Sequence, residues 1–238
     1  MNEKELYERQ YGEKKLISVS SFSLLRRVFK RFDIHREDLA LSLLYGGDKL
    51  LDVGCGSGSL IIKAKDKFKR LYGVDISPSR IEEAQKSAAE RFGENNNLHF
   101  STCNVNEKIP FPDKMFDAVT CIAVLEHLFD PYFIVSEISR VLKSGGILVL
   151  EVPNIAYFKH RLHLLFGKLP ATSAAANWKE SGWDSGHLHY FTKKSLVKLL
   201  EDCGFKIIKI SGSGLLAKFR NWWPSLLTGD LCIKVIKK

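Results

Sequence analysis

From Lys49 onward, short apolar runs alternate with longer segments whose apolar residues recur at helical spacing, the arrangement of a doubly wound sheet. Seven runs have the length and composition of buried strands: Leu50–Val53, Leu71–Val74, Leu98–Thr102, Ala118–Ile122, Ile147–Val152, Phe205–Ile210 and Leu231–Ile236. The helices between them carry start and stop signals. Ser77-Pro78 and Asp130-Pro131 each set a capping side chain before a proline whose missing N–H is harmless in the first turn. Thr192 caps a helix running through Leu199, and Cys203-Gly204 supplies the glycine that ends it. The pattern predicts an α/β fold with a sheet of about seven strands, mostly parallel, the last strand antiparallel.

Two stretches depart from this rhythm. Residues 1–45 read as N-terminal helices, with Phe22, Leu25, Val28, Phe29 and Phe32 on one face and Arg26, Arg27, Lys30 and Arg31 between them. Such a basic amphipathic helix caps a site, packs on its own domain or lies on a membrane surface. Residues 154–192, after the fifth strand, are too long for a plain connection and rich in His and aromatics, among them Tyr157, Phe158, His160, His163, Phe166, Trp178 and Trp183. An insertion at that edge of the sheet is placed to shape a substrate site. Its aromatics offer ring faces for a substrate or form a satellite core under a lid.

At 238 residues the chain suffices for one domain with one main core, and no apolar run approaches the roughly 20 residues of a membrane span. Met1–Gln10 lacks the apolar core of a secretion signal, so the expected location is cytoplasmic. The five cysteines are scattered without metal-ligand spacing and read as free thiols. The net charge of +9 is concentrated: Lys14–Arg36 and Lys206–Lys238 each hold seven Lys/Arg against one Asp. These clusters suit a solvated face, an anionic substrate, a membrane surface or nucleic acid, though no RNA-binding module is recognisable.

The chemistry concentrates after the first strand. Leu50-Leu51-Asp52-Val53-Gly54-Cys55-Gly56-Ser57-Gly58 is a buried strand running into a glycine-rich turn that opens a helix. Glycines at alternate positions admit positive φ and let a ligand lie on the main chain. The second strand ends in Asp75, where a carboxylate accepts hydrogen bonds from ribose hydroxyls. A dinucleotide fingerprint would place its third glycine where Ser59 stands, and Asp52 precedes the turn, positioned to orient the loop or meet a cationic group. This favours S-adenosylmethionine, which has no pyrophosphate to cradle, over NAD.

These residues resemble the class I S-adenosylmethionine-dependent methyltransferases over nearly the whole chain. Leu51–Gly58 is similar to their first motif and Gly73-Val74-Asp75-Ile76-Ser77 to their second. The resemblance implies one Rossmann-like methyltransferase domain over 1–238, with 1–45 as a helical cap and 154–192 as the substrate-site insertion. It implies a cofactor site built from Asp52, Gly54, Cys55, Gly56, Gly58, Asp75, Ile76, Asn104, Val105 and Ala123, with Asp75 on the ribose and Asn104-Val105 beside the adenine. Phe111-Pro112-Asp113, Phe116-Asp117, Val124–Leu128, Val152-Pro153-Asn154 and Gly186–Thr192 resemble the branch with ubiquinone-biosynthesis O-methyltransferases and enzymes of glycan pathways. The acceptor is then a small molecule, sugar-containing or lipid-linked, with RNA or a membrane-bound substrate as the alternatives.

Methyl transfer needs a nucleophile aligned with the sulfonium methyl and relieved of its proton. His127, just past the fourth strand, is the leading candidate base, with Glu126 beside it and His187 and His189 on the insertion. Glu126, His127 and one of the insertion histidines also have the donor chemistry for a divalent cation, as in metal-dependent RNA 2′-O-methyltransferases. Ala123 stands where those enzymes have a further Glu, and no metal site is assigned on the sequence.

Overall fold

The computed structural model describes residues 33–94, 97–172 and 186–238. It contains β1 (Asp33–Ile34), α1 (Arg36–Leu43), β2 (Gly47–Val53), α2 (Ser59–Lys63), β3 (Phe68–Asp75), α3 (Pro78–Phe92), β4 (Leu98–Thr102) and β5 (Phe116–Ile122). A 3-10 turn (Leu125–His127) leads to α4 (Pro131–Val141), β6 (Leu142–Pro153) and α5 (Phe158–Leu165). The chain closes with α6 (Lys193–Asp202), β7 (Phe205–Ser211), β8 (Gly214–Leu215), α7 (Ala217–Arg220), α8 (Pro224–Leu227) and β9 (Asp230–Lys237).

All seven predicted strands are present and form one sheet in the order β4-β3-β2-β5-β6-β9-β7. The ladders from β4 across to β6 are parallel, and β9 is antiparallel to both β6 and β7. This is the expected Rossmann-like arrangement with an antiparallel last strand. The strands outrun their predicted limits because pairing continues past the apolar cores, as where Gly47 aligns with Phe68.

Helices cover both faces, so the central strands carry nearly unbroken buried runs, such as Leu50–Val53 and Leu148–Val152. One core packs Ile134 and Ile138 of α4 and Leu196 and Leu200 of α6 against Val119, Leu148 and Leu150. The other packs Leu39 and Leu43 of α1 and Ile61 of α2 against Leu50, Leu71 and Val149. Each fully buried Leu or Ile contributes roughly 1.5–3 kcal/mol. The predicted caps form: Ser77 Oγ accepts from Arg80 N, Asp130 from Tyr132 N and Phe133 N, and Thr192 and Ser195 make a reciprocal capping box.

The N-terminal cap is corrected in part. Among its described residues, 33–34 are not helical but form a short antiparallel ribbon with 214–215, and Arg36–Leu43 is helix. The amphipathic segment from Phe22 to Phe32 lies outside the described residues, as do Trp178 and Trp183 of the insertion. The described part of the insertion forms no satellite core: α5 has no buried residue, and Phe158 and Phe166 are exposed. Among the described residues no helix is long and apolar enough to cross a membrane.

The Phe111-Pro112-Asp113 and Phe116-Asp117 motifs have structural work in this fold. Asp113 pairs with Arg140 at 2.7 Å, and Arg140 also bonds Glu137 and the carbonyls of Ile109 and Phe111, tying that loop to α4. Asp117 accepts from the Asp48 and Lys49 amides and pairs with Lys143, fixing the edge of β2 against β5.

Candidate active site

Strand order reverses between β2 and β5, the kind of switch point at which open α/β sheets bind ligands. The glycine loop leaves β2 there, and Ala123–His127 leaves β5 beside it. The loop is pinned by its backbone: Gly54 N and Cys55 N both donate to Val74 O, at 2.8 and 3.0 Å. Gly54, Gly56 and Gly58 have φ of +73°, +51° and +76°, a region L side chains rarely occupy. A Cβ on Gly54 would lie 2.2 Å from Val124 Cγ2, so only glycine lets the two exit loops touch. A Cβ on Gly56 would meet nothing within 4 Å, which leaves that part of the loop open.

Asp75 lies at the end of β3, with Oδ2 accepting from Gly56 N at 2.9 Å and Oδ1 from Ser77 N at 3.0 Å. One carboxylate thus holds both the glycine turn and the entry to α3. Ile76 is half-buried beside it. Asp52, expected to orient the loop or meet a cation, instead faces across the sheet and accepts from Thr120 Oγ1 at 2.6 Å. Among the described residues it forms no ion pair, and burial pushes its carboxyl up to about 7 against the lowering effect of the Thr120 hydroxyl. Cys55 is buried, its sulfur packed toward Gly73. Val105 likewise belongs to the core. Asn104 Oδ1, read as an acceptor for an adenine amino group, accepts from Asn106 N at 3.1 Å, and Nδ2 donates to Glu107.

The opposite wall joins two segments far apart in sequence. The backbone carbonyl of Glu126 accepts from Leu188 N at 2.8 Å and His189 N at 3.1 Å, clamping the end of the insertion onto the 3-10 turn. His127 Nδ1 lies 2.5 Å from the Gly186 carbonyl oxygen. A carbonyl only accepts, so Nδ1 carries the proton, and in the neutral ring Nε2 holds the lone pair. His187 packs edge-on against His127, with ring centroids 4.8 Å apart, and its Nδ1 is 2.7 Å from Thr172 Oγ1. His189 turns away, placing Nε2 3.2 Å from the Phe129 carbonyl oxygen.

Glu126 is 1% exposed and its Oε2 has no hydrogen-bond partner among the described residues; burial pushes its carboxyl up to about 8. Glu151 of β6, which the sequence did not single out, shares this feature: its Oε2 is buried without a partner among the described residues, and burial with the nearby Asp230 raises its carboxyl. Its signal was present, as an acid inside the apolar run Ile147–Val152. Its backbone carbonyl accepts from Ala123 N at 3.0 Å, which anchors Ala123 in its positive-φ conformation.

A doubly wound sheet, a glycine loop at its switch point and an acid ending the next strand define a nucleoside-binding α/β protein. Residues 23–210 match the family model described as a methyltransferase domain, and the chain belongs to that family, the S-adenosylmethionine-dependent methyltransferases. It is 31% identical to a demethylmenaquinone methyltransferase of Geobacillus sp. over 76% of this chain and 81% of that protein. It is 32% identical to a ubiquinone biosynthesis O-methyltransferase of Alkalilimnicola ehrlichii, where the match spans 45% of this chain and only 42% of the relative's length. A solved S-adenosylmethionine-dependent methyltransferase from Methanosarcina mazei superposes with a TM-score of 0.62 at 27% identity, over 86% of this chain and 98% of that one.

Proposed function

We propose that this protein transfers the methyl group of S-adenosylmethionine to a hydroxyl oxygen of a small, sugar-containing or lipid-linked acceptor. The observation that carries the reading is the tethered His127 at the switch point, next to the loop that Val124 joins to Gly54. In the step, the acceptor oxygen attacks the methyl carbon and the C–S bond breaks with its electron pair going to sulfur. The hydroxyl proton passes to the Nε2 lone pair of His127. Sulfonium and alcohol become thioether and methyl ether, with one proton on the imidazole. Asp75 and the backbone of Gly54–Gly58 hold the nucleoside. The name of the ubiquinone-biosynthesis O-methyltransferase supports oxygen as the accepting atom and makes phenols the first acceptors to try.

Calorimetric titration with S-adenosylmethionine and S-adenosylhomocysteine, beside NAD, tests the cofactor half. Binding of the two sulfur nucleosides alone is expected, weakened on the order of 100-fold in Asp75→Ala, since charged hydrogen bonds contribute about 1.5–3 kcal/mol each. Preference for NAD would refute the reading. With phenolic acceptors, His127→Ala should lower kcat by about 100-fold or more and leave cofactor affinity unchanged.

A second reading, that the acceptor is met at an anionic membrane surface, is favoured by one group of exposed side chains. Phe158, Leu162, Leu165 and Phe166 of the α5 segment and Phe219 and Trp222 of the C-terminal segment are all exposed. Tyr157 joins the two segments by stacking under Arg220, 5.3 Å from its ring centroid. Beside them lies a cleft of about 800 Å³ whose lining includes Arg161, Lys193, Lys194 and Lys198 against one acid, Glu201. Apolar and aromatic side chains rimmed by cations suit the headgroup boundary. Co-sedimentation with phosphatidylglycerol vesicles and not with phosphatidylcholine vesicles is expected; equal recovery in both supernatants would remove this reading.

A further inference from the structure

Among the described residues, one group of side chains brings three metal-ligating atoms together: Glu126, His127 and His187 each offer an atom within 4.8 Å of the others. Three further observations concern the same residues. Glu126 Oε2 is buried with no donor among the described residues, an arrangement that is costly for a carboxylate unless a cation or hydrogen-bond donor meets it. Both imidazoles are tethered at Nδ1, His127 by the Gly186 carbonyl and His187 by the Thr172 hydroxyl. Oxygen partners at one ring nitrogen are the supports that aim the other nitrogen at a metal ion. Finally, the Leu188 and His189 amides on the Glu126 carbonyl hold the His187 segment against the turn that carries the other two residues.

We propose that Glu126, His127 and His187 bind one divalent first-row transition ion, with a remaining coordination position open to an oxygen of the methyl acceptor. Two imidazoles and one carboxylate suit Zn²⁺, Co²⁺, Mn²⁺ or Fe²⁺, whereas Mg²⁺ and Ca²⁺ prefer all-oxygen sets. Ligand atoms bonded at about 2.1 Å to one ion lie about 3–4 Å apart. The observed spread therefore closes around an ion with side-chain movements of about an ångström. The site's role in catalysis rests on the methyl-transfer reading and changes one part of it. With an ion on Nε2, His127 is a ligand, and the ion lowers the acceptor hydroxyl's pKa so that its proton leaves to solvent.

The test uses the full chain stripped with a chelator and titrated with Co²⁺, reading visible absorption and, by equilibrium dialysis, stoichiometry. One Co²⁺ per chain is expected, with affinity lowered about 100-fold or more in His187→Ala and Glu126→Gln, and on the order of tenfold in Thr172→Val. His163→Ala, on α5 and outside the cluster, should bind as the parent does. S-Adenosylmethionine titration of the same preparations shows that each variant is folded. Absence of Co²⁺ uptake by the parent, or uptake unchanged in His187→Ala and Glu126→Gln, overturns the site. Intact Co²⁺ uptake without S-adenosylmethionine binding would instead refute the proposed function and leave the metal site standing.

Discussion

The two walls of the switch point are built in opposite ways. The glycine-loop wall, to which we assign the cofactor, is local: Gly54–Gly58 follow one strand, Asp75–Ser77 follow the next, and backbone amides bonded to Val74 and Asp75 fix the loop. The histidine wall, to which we assign the acceptor, is assembled at long range, His127 meeting Gly186 across 59 positions and Glu126 meeting Leu188 and His189 through main-chain bonds. The cofactor wall is stiff because its shape is a property of the sheet. The acceptor wall depends on closing a long insertion, an entropic cost that its contacts must offset. One scaffold can thereby keep a cofactor while the acceptor changes with the insertion.

The stiffness of the cofactor wall predicts the largest effect. Gly54→Ala puts a Cβ 2.2 Å from Val124 Cγ2 at φ +73°, so it should destabilise the protein by about 3 kcal/mol or more and abolish cofactor binding. Gly56→Ala shares the positive φ but meets nothing within 4 Å, and should cost only about 1–2 kcal/mol. Urea denaturation of both variants separates packing from backbone strain. Equal losses would show that Val124 yields and that the two walls are not in tight contact.

This contrast also governs what was legible in the sequence. Strand positions, caps and the glycine turn could be read because each is written in adjacent residues. The β1–β8 ribbon could not, since two-residue strands carry no periodicity. Asp52 was expected to serve the loop, but which residue faces it depends on β5 pairing beside β2, a neighbour 68 positions away. The candidate histidines were found by type and position. That His187 joins Glu126 and His127 while His189 turns to Phe129 follows from the clamp between segments, which no local pattern encodes.

Asp52 gives the next prediction. Its folded-state carboxyl titrates at about 7, above the ordinary aspartate value, mainly because it is buried. Folding therefore favours the protonated form: this contribution is full below about pH 4 and is lost as pH rises through about 7. Asp52→Asn keeps an acceptor for Thr120 and cannot ionise. Its stability advantage over the parent should grow between about pH 4 and 7, level off above pH 8 and reach roughly 2–4 kcal/mol. A pH-independent difference in urea midpoint would place Asp52 in a better-solvated setting than the sheet suggests.

The smallest effect lies on the acceptor wall. Thr192 Oγ1 accepts from Ser195 N at 3.2 Å and Ser195 Oγ accepts from Thr192 N at 3.0 Å, closing the first turn of α6. The residue before it, Phe191, is buried in the core and bridges to Asn154, so the cap fixes the point where the insertion rejoins the sheet. Thr192→Ala should lower stability by about 1 kcal/mol. Because the cofactor wall shares none of these bonds, S-adenosylmethionine affinity should stay unchanged while amide exchange quickens across 186–191. A matching fall in cofactor affinity would mean that loosening the insertion propagates through the Glu126 clamp and Val124 into the glycine loop. The two walls would then be one mechanical unit.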